Sequence, residues 1–300
     1  MFLTVMVELS YGQQDPMYTQ YMFNKQVVNP AYTGTWESLG FMALVRHQWV
    51  GLNGTPKTYT FSMQSILKDP RIALGLDVIS DKIGLEKRTM IFADYSFLLY
   101  INDFTNLRLG LKGGFTSYSN NLSEYVLYPD GSVDPLFQGE IDVRFMPNFG
   151  VGAFLYSQKY YVGFAIPKII QNQFTNNYNN YSVMSEMRHF CLDFGFVFDL
   201  SENLKFKPTG LVKATLGAPF EVDLTANFLL KEQFWVGAMY RTGDSFGFIA
   251  QWVFKRNLRV GYAIDYGINN LRQYHKGTHE LMVTYELRMA KEKFISPRYF

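Results

Sequence analysis

Between Leu39 and Met289 apolar and polar side chains alternate with a period of two, run after run, and no other feature restricts the fold of this chain as much. The stretch RHQWVGLNGTPKTYTFSMQS, residues 46–65, shows the form. Leu44, Arg46 and Gln48 alternate with Ala43, Val45, His47 and Trp49, and turn-forming residues follow from Gly51 to Pro56. Tyr59, Phe61 and Met63 then alternate with Thr58, Thr60, Ser62 and Gln64. Such a segment predicts a β-hairpin with one apolar and one polar face. About fourteen strands can be counted, over 39–50, 57–66, 71–80, 87–100, 105–118, 146–157, 159–166, 187–199, 203–214, 220–230, 233–242, 245–254, 258–266 and 278–289. An even number returns both ends of a closed barrel to the same side.

Charges keep to one face of these runs. Leu258, Val260, Tyr262, Ile264 and Tyr266 stand opposite Arg259 and Asp265, and Leu281, Val283, Tyr285 and Leu287 opposite Glu280 and Glu286. A soluble sandwich would alternate in the same way, so the connections have to decide. On one side they are short, near 67–70, 101–105, 157–159, 200–203, 231–232 and 255–257. On the other they include the long segments 119–145, 167–186 and 267–277. That asymmetry is the pattern of an outer-membrane barrel. The aromatic share of 17%, with 21 Tyr and 27 Phe, suits both strands and interfacial girdles. The longest uncharged stretch, Ile169 to Ser185, is too rich in Asn, Gln and Tyr to cross as a helix. If the chain spans a membrane, it does so as a closed barrel. The expected fold is therefore all-β, a transmembrane antiparallel outer-membrane β-barrel of about fourteen strands with an N-terminal arm.

The ends divide as follows. Residues 1–12, MFLTVMVELSYG, resemble the end of a secretory signal peptide cleaved before Gln13, although the run is short, holds Glu8 and lacks a basic start; an N-terminal strand is the alternative. Residues 13–38 read as an arm, a plug or a periplasmic segment, in which Met17, Tyr21 and Met22 share one face of a short helix and Asn29-Pro30 imposes a turn. The barrel covers 39–290, and 291–300, KEKFISPRYF, form a periplasmic C-terminal tail.

The composition excludes several chemistries. A net charge of +2 lacks the basic excess that nucleic acid requires. One cysteine, Cys191, rules out a disulfide framework and a cysteine zinc site. His47, His189, His275 and His279 do not fall at metal-ligand spacing, and no G-x-S-x-G, P-loop or H-E-x-x-H occurs. No catalytic residue, metal or cofactor is expected. The inward face instead carries Arg46, Arg108, Lys112, Asp193, Asp223, Arg241, Arg259, Asp265, Glu280 and Glu286. Mixed signs fit ion pairing across a filled lumen, and they also fit a wet lumen that merely tolerates charge. Mid-strand glycines in LRLGLKGG (107–114), NFGVGAF (148–154) and YYVGFA (160–165) mark close backbone approach or bends. In the long loops Tyr125, Tyr128, Phe137, Phe174, Tyr178, Tyr181, Leu271 and Tyr274 are candidates for partner contact, with collapse onto the barrel as the alternative.

Several segments together resemble the PorP/SprF outer-membrane proteins of the Bacteroidetes type IX secretion system. They are DPMYTQYMFNKQVVNPAYTG (15–34), RHQWVGLNGTPKTYTFS (46–62), PNFGVG (147–152), YYVGFAIPK (160–168), PFEVDLT (219–225), YRTGDSFG (240–247), RVGYAIDYGINNL (259–271), KGTHELMV (276–283) and the terminal PRYF (297–300). The resemblance implies an outer-membrane barrel linked to type IX protein export, surface attachment of adhesins or gliding motility. The partners it implies are a secreted or surface-anchored protein carrying a type B C-terminal domain, periplasmic components of the secretion system, and outer-membrane lipid. It implies no catalytic residues. Lys25-Gln26 departs from the family, where many members have a proline. A passive channel for small solutes shares the same fold and is the alternative function, and a barrel enzyme acting on lipids or esters is a third.

Overall fold

A computed structural model of the chain describes residues 15–121, 140–175, 182–216, 218–254 and 257–287, with the backbone alone at 140, 174–175 and 182–185. The barrel strands are β1 Leu39–His47, β2 Lys57–Ile66, β3 Ile72–Ile83, β4 Glu86–Asn102, β5 Thr105–Asn121, β6 Glu140–Ser157 and β7 Tyr160–Ile166. An interrupted strand β8, His189–Phe196 continued by Phe198–Ser201, follows. Then come β9 Leu204–Thr215, β10 Glu221–Leu230, β11 Phe234–Arg241, β12 Ser245–Phe254, β13 Leu258–Gly267 and β14 Thr278–Leu287. Each pairs antiparallel with its neighbour in sequence, and β1 pairs with β14 from Leu39↔Leu287 to His47↔His279. The sheet closes, so no strand edge is left toward lipid, the condition a membrane sets on any β structure. Among the described residues no helix is long and apolar enough to cross a membrane.

The side-chain period of two separates two solvents. Tyr59, Leu111, Phe164, Phe248 and Tyr262 point outward and are exposed, whereas Thr60, Lys112, Asp193, Asn227 and Asp265 point inward and are buried. Rings gather on the outer surface in cross-strand contacts such as Phe234 with Trp252 and Tyr240 with Phe246, their centroids 5.0 and 4.9 Å apart. Strands of eight to twelve residues suffice for the hydrocarbon, and the 17, 17 and 18 residues of β4, β5 and β6 exceed it and stand beyond the membrane.

Several boundaries differ from the sequence reading; β3 and β5, for example, run on to Ile83 and Asn121. β1 stops at His47, so Gln48 and Trp49 belong to the turn, where Trp49 takes a positive φ of 48°. β6 begins at Glu140, six residues before the expected start, because a bulge opposite Thr116–Tyr118 absorbs an out-of-phase residue and lets pairing continue. Within the 167–186 connection, Gln173–Thr175 pairs with Ser182–Ser185.

The lumen is occupied by residues 15–38. Tyr21–Phe23 and Pro30–Tyr32 form 3-10 turns on either side of a one-turn helix, Lys25–Val28. Asn29 separates the last two; its side chain accepts from Ala31 N at 3.0 Å, and Pro30 starts the next turn with a fixed φ. Thr19, Gln20, Met22, Ala31 and Thr33 have no exposed surface at all.

The outward face yields a direct prediction. Phe248 lies close to the middle of β12 and is 59% exposed. Phe248→Arg should cost about 2–4 kcal/mol in refolding titrations into lipid vesicles. Tyr274→Arg, in the long loop after β13, should shift the same titration by less than about 0.5 kcal/mol.

Candidate functional site

Strand alternation delivers charge to the lumen wall, and the arm meets it with backbone groups. On β1, Arg46 reaches Asp265 of β13 at 2.9 Å and Glu280 of β14 at 3.1 Å. One guanidinium thus faces two buried carboxylates. The arm supplies the missing donors: Thr19 N and Gln20 N both donate to the Glu280 carboxylate at 2.9 Å, and the Thr19 hydroxyl donates to Asp265 while accepting from Arg46. A second clamp is Arg241 on β11, which holds Asp223 of β10 in a bidentate pair at 2.7 and 2.9 Å and also donates to Tyr18 O at 3.2 Å. The Tyr21 hydroxyl donates to the backbone carbonyl of Asp223 at 3.2 Å.

A third contact ends the arm's helical turn. Lys112 on β5 pairs with Asp77 at 2.7 Å and Asp94 at 3.4 Å, and it donates to the carbonyls of Gln26 and Val27 at 3.2 and 3.4 Å. A cation placed on the last carbonyls of a helical turn opposes their partial negative charge. Lys25 of the arm lies over the Tyr161 ring, 3.1 Å from its centroid, with Phe154 and Tyr32 beside it. Burial pulls its ammonium below the usual lysine range, and the nearby Asp193 works against that.

The backbone approaches just as closely. A Cβ at Gly110 would lie 2.2 Å from Ala31 N, and one at Gly152 would lie 2.1 Å from Asn29 Oδ1. The mid-strand glycines are the seat of the Asn29-Pro30-Ala31 turn. Lower down, the Ser96 hydroxyl donates to Thr33 O, Arg108 donates to Ser96 and to Pro70 O in a short turn, and Gly34 N donates to Gln64.

At the other end of the lumen the arm starts among the long connections. Asp15 pairs with Lys168 at 2.6 Å and lies 3.5 Å from Arg88. Burial pushes the Asp15 carboxyl up, but Lys168, Arg88 and His189 together overcome it and hold the group well below the usual carboxylate range. Glu186 fastens the 167–186 connection, accepting from Thr116 at 2.9 Å, Asn148 at 3.0 Å and Asn172 at 2.9 Å.

All ten inward charges named from the sequence point into the lumen. Nine are buried and Arg259, paired with Glu286, is partly so. Asp193 and Asn29 of the arm both abut Gly163. Sequence reasoning missed Asp77, which the alternation Ala73, Gly75, Asp77, Ile79 would have found, and it missed the arm's ligands Thr19, Gln20 and Tyr18, for which no periodicity exists. Of the loop candidates, Leu271 and Tyr274 lie 43% and 63% exposed on the 3-10 turn Asn270–Tyr274. Phe174 lies in Gln173–Thr175 with its side chain outside the described residues, as are Tyr125, Tyr128, Phe137, Tyr178 and Tyr181 entirely. Among the described residues no group of three or more His, Cys, Asp or Glu side chains could hold a metal ion.

Comparison with known proteins places this architecture. The model of the family described as type IX secretion system membrane protein PorP/SprF matches residues 10–285. No curated protein matches. Among solved structures, the chain is similar to the Acinetobacter baumannii outer membrane protein Omp33, at 9% identity over 84% of this chain and 99% of that one, with a TM-score of 0.50. It is similar to the CymD monoaromatic hydrocarbon channel at 13% identity, over 92% of this chain and 95% of that one, with a TM-score of 0.51. Identities this low speak for the fold alone, and that fold is the outer-membrane barrel.

Two outcomes test the lumen network. Arg46→Met strands Asp265 and Glu280 without their cation and should cost about 3–5 kcal/mol in denaturant unfolding of the folded barrel. Because the Asp15 carboxyl is depressed in the folded state, its stabilisation is complete above its unfolded value of 3.8 and lost as pH falls below that. Asp15→Asn should therefore lower the arm's stability at neutral pH, measured by protease cleavage of the arm, and should flatten its dependence on pH below about 4.

Proposed function

The chain belongs to the type IX secretion system membrane proteins PorP/SprF, and from that premise we propose that it holds an exported polypeptide at the outer face of the outer membrane. One observation carries the reading. The lumen is filled by residues 15–38 and tied to the wall by buried ion pairs, while the long connections present exposed apolar side chains such as Leu271 and Tyr274. A filled lumen favours a holding surface over a passage, and exposed aromatics in loops are typical of partner contact. The partner proposed is a secreted or surface-anchored protein with a type B C-terminal domain, met by Leu271 and Tyr274 together with Tyr125, Tyr128, Phe137, Phe174, Tyr178 and Tyr181. Periplasmic secretion components then meet the short-turn side, and a role in adhesin display or gliding motility in a bacterium of the Bacteroidetes follows from the same reading.

Affinity purification from the native outer membrane is the test. It should recover a secreted protein, and Leu271→Asp with Tyr274→Asp should lower its yield about tenfold, the effect of about 1.4 kcal/mol. In planar bilayers the purified barrel should show no steady conductance. Steady conductance with no co-purified protein would favour a small-solute channel and defeat the proposal.

A further inference from the structure

A cavity of ≈ 70 Å³ lies at the long-connection end of the lumen, between the arm and the walls formed by β3–β5 and β8–β10. Much of its lining is apolar: Val27 and Val28 of the arm, Ile79, Met90 and Phe92, with Cys191 beside them. At ~10–15 Å³ for each water-sized group, the space takes about five such groups, the size of one branched or aromatic side chain.

Charges border it, and each already has a partner. Lys168 holds Asp15 and Glu186, Lys213 holds Glu221 at 3.2 Å, and Lys112 holds Asp77. His189 makes a 2.7 Å hydrogen bond with the Thr215 hydroxyl. A charged ligand would have to break one of these pairs in a partly dry site, whereas an uncharged apolar group would displace only water from an apolar lining.

We propose that this cavity is the anchor site for a single uncharged apolar side chain, aromatic or branched aliphatic, of a polypeptide bound at the outer face. Its source, though not its chemistry, rests on the export reading above. The site faces the outer side, is built jointly by arm and barrel, and selects against charge because its own charges are satisfied.

Cys191 is the only cysteine of the chain, so its reaction reports on the cavity alone. The wild-type protein in lipid nanodiscs is treated with methyl methanethiosulfonate, and modification of Cys191 is followed by mass spectrometry. N-acetyl-phenylalanine amide and N-acetyl-leucine amide, each at about four times its dissociation constant, should slow the reaction about fivefold, the factor 1 + [L]/Kd. The corresponding lysine and aspartate amides should leave it unchanged. Equal protection by the charged amides, no protection by the apolar ones, or a thiol that the small reagent cannot reach would each overturn the proposal. Protection by toluene but not by the amides would overturn the peptide source. Co-purification of a secreted protein without amide protection would defeat this site and leave the export reading intact; protection without a co-purified protein would do the reverse.

Discussion

A charged side chain that leaves water must find a partner, and the inner wall of this barrel carries charges that it does not balance by itself. Arg46 faces both Asp265 and Glu280, and Lys112 faces both Asp77 and Asp94. The arm meets both clusters with backbone dipoles, and at Glu280 its N–H donors offset the excess negative charge. It donates the N–H groups of Thr19 and Gln20 where the wall is too negative, and it places the carbonyls of Gln26 and Val27 on the Lys112 ammonium. Arm and barrel are therefore one folding unit, because neither satisfies its polar groups without the other.

That mutual dependence explains the glycines. A strand interior loses stability at a glycine, yet Gly110 and Gly152 stand mid-strand where the Asn29-Pro30-Ala31 turn touches the wall backbone. The polar atoms of the arm likewise meet fixed positions on β1, β5, β11, β13 and β14.

Much of this was legible in the sequence, for a physical reason. Burial on one face and lipid on the other force a period of two, so the inward set from Arg46 to Glu286 and the closed barrel of fourteen strands could be read from alternation and loop lengths. The arm's contacts could not. Its turns of three or four residues have no period, and Thr19 or Asn29 is chosen by a wall position more than a hundred residues away. The β6 start escaped because a bulge shifts the phase at Thr116–Tyr118. The pairing of Arg46 with Asp265 and Glu280 became visible only once closure of β1 onto β14 brought the chain's ends together. The residues 15–38 that fill the lumen direct attention to the outer surface and to the cavity between arm and wall.

The central claim is that the arm is a permanent structural part of the lumen. Amide hydrogen exchange on the membrane-embedded protein tests it most directly, because the Thr19, Gln20 and Gly34 amides each donate to a wall side chain. The account predicts that these amides exchange as slowly as those of the strands that hold them, the signature of opening only with the whole barrel. Exchange at the rate of the exposed Asn270–Tyr274 turn would show an arm that leaves the lumen on its own, and would contradict it.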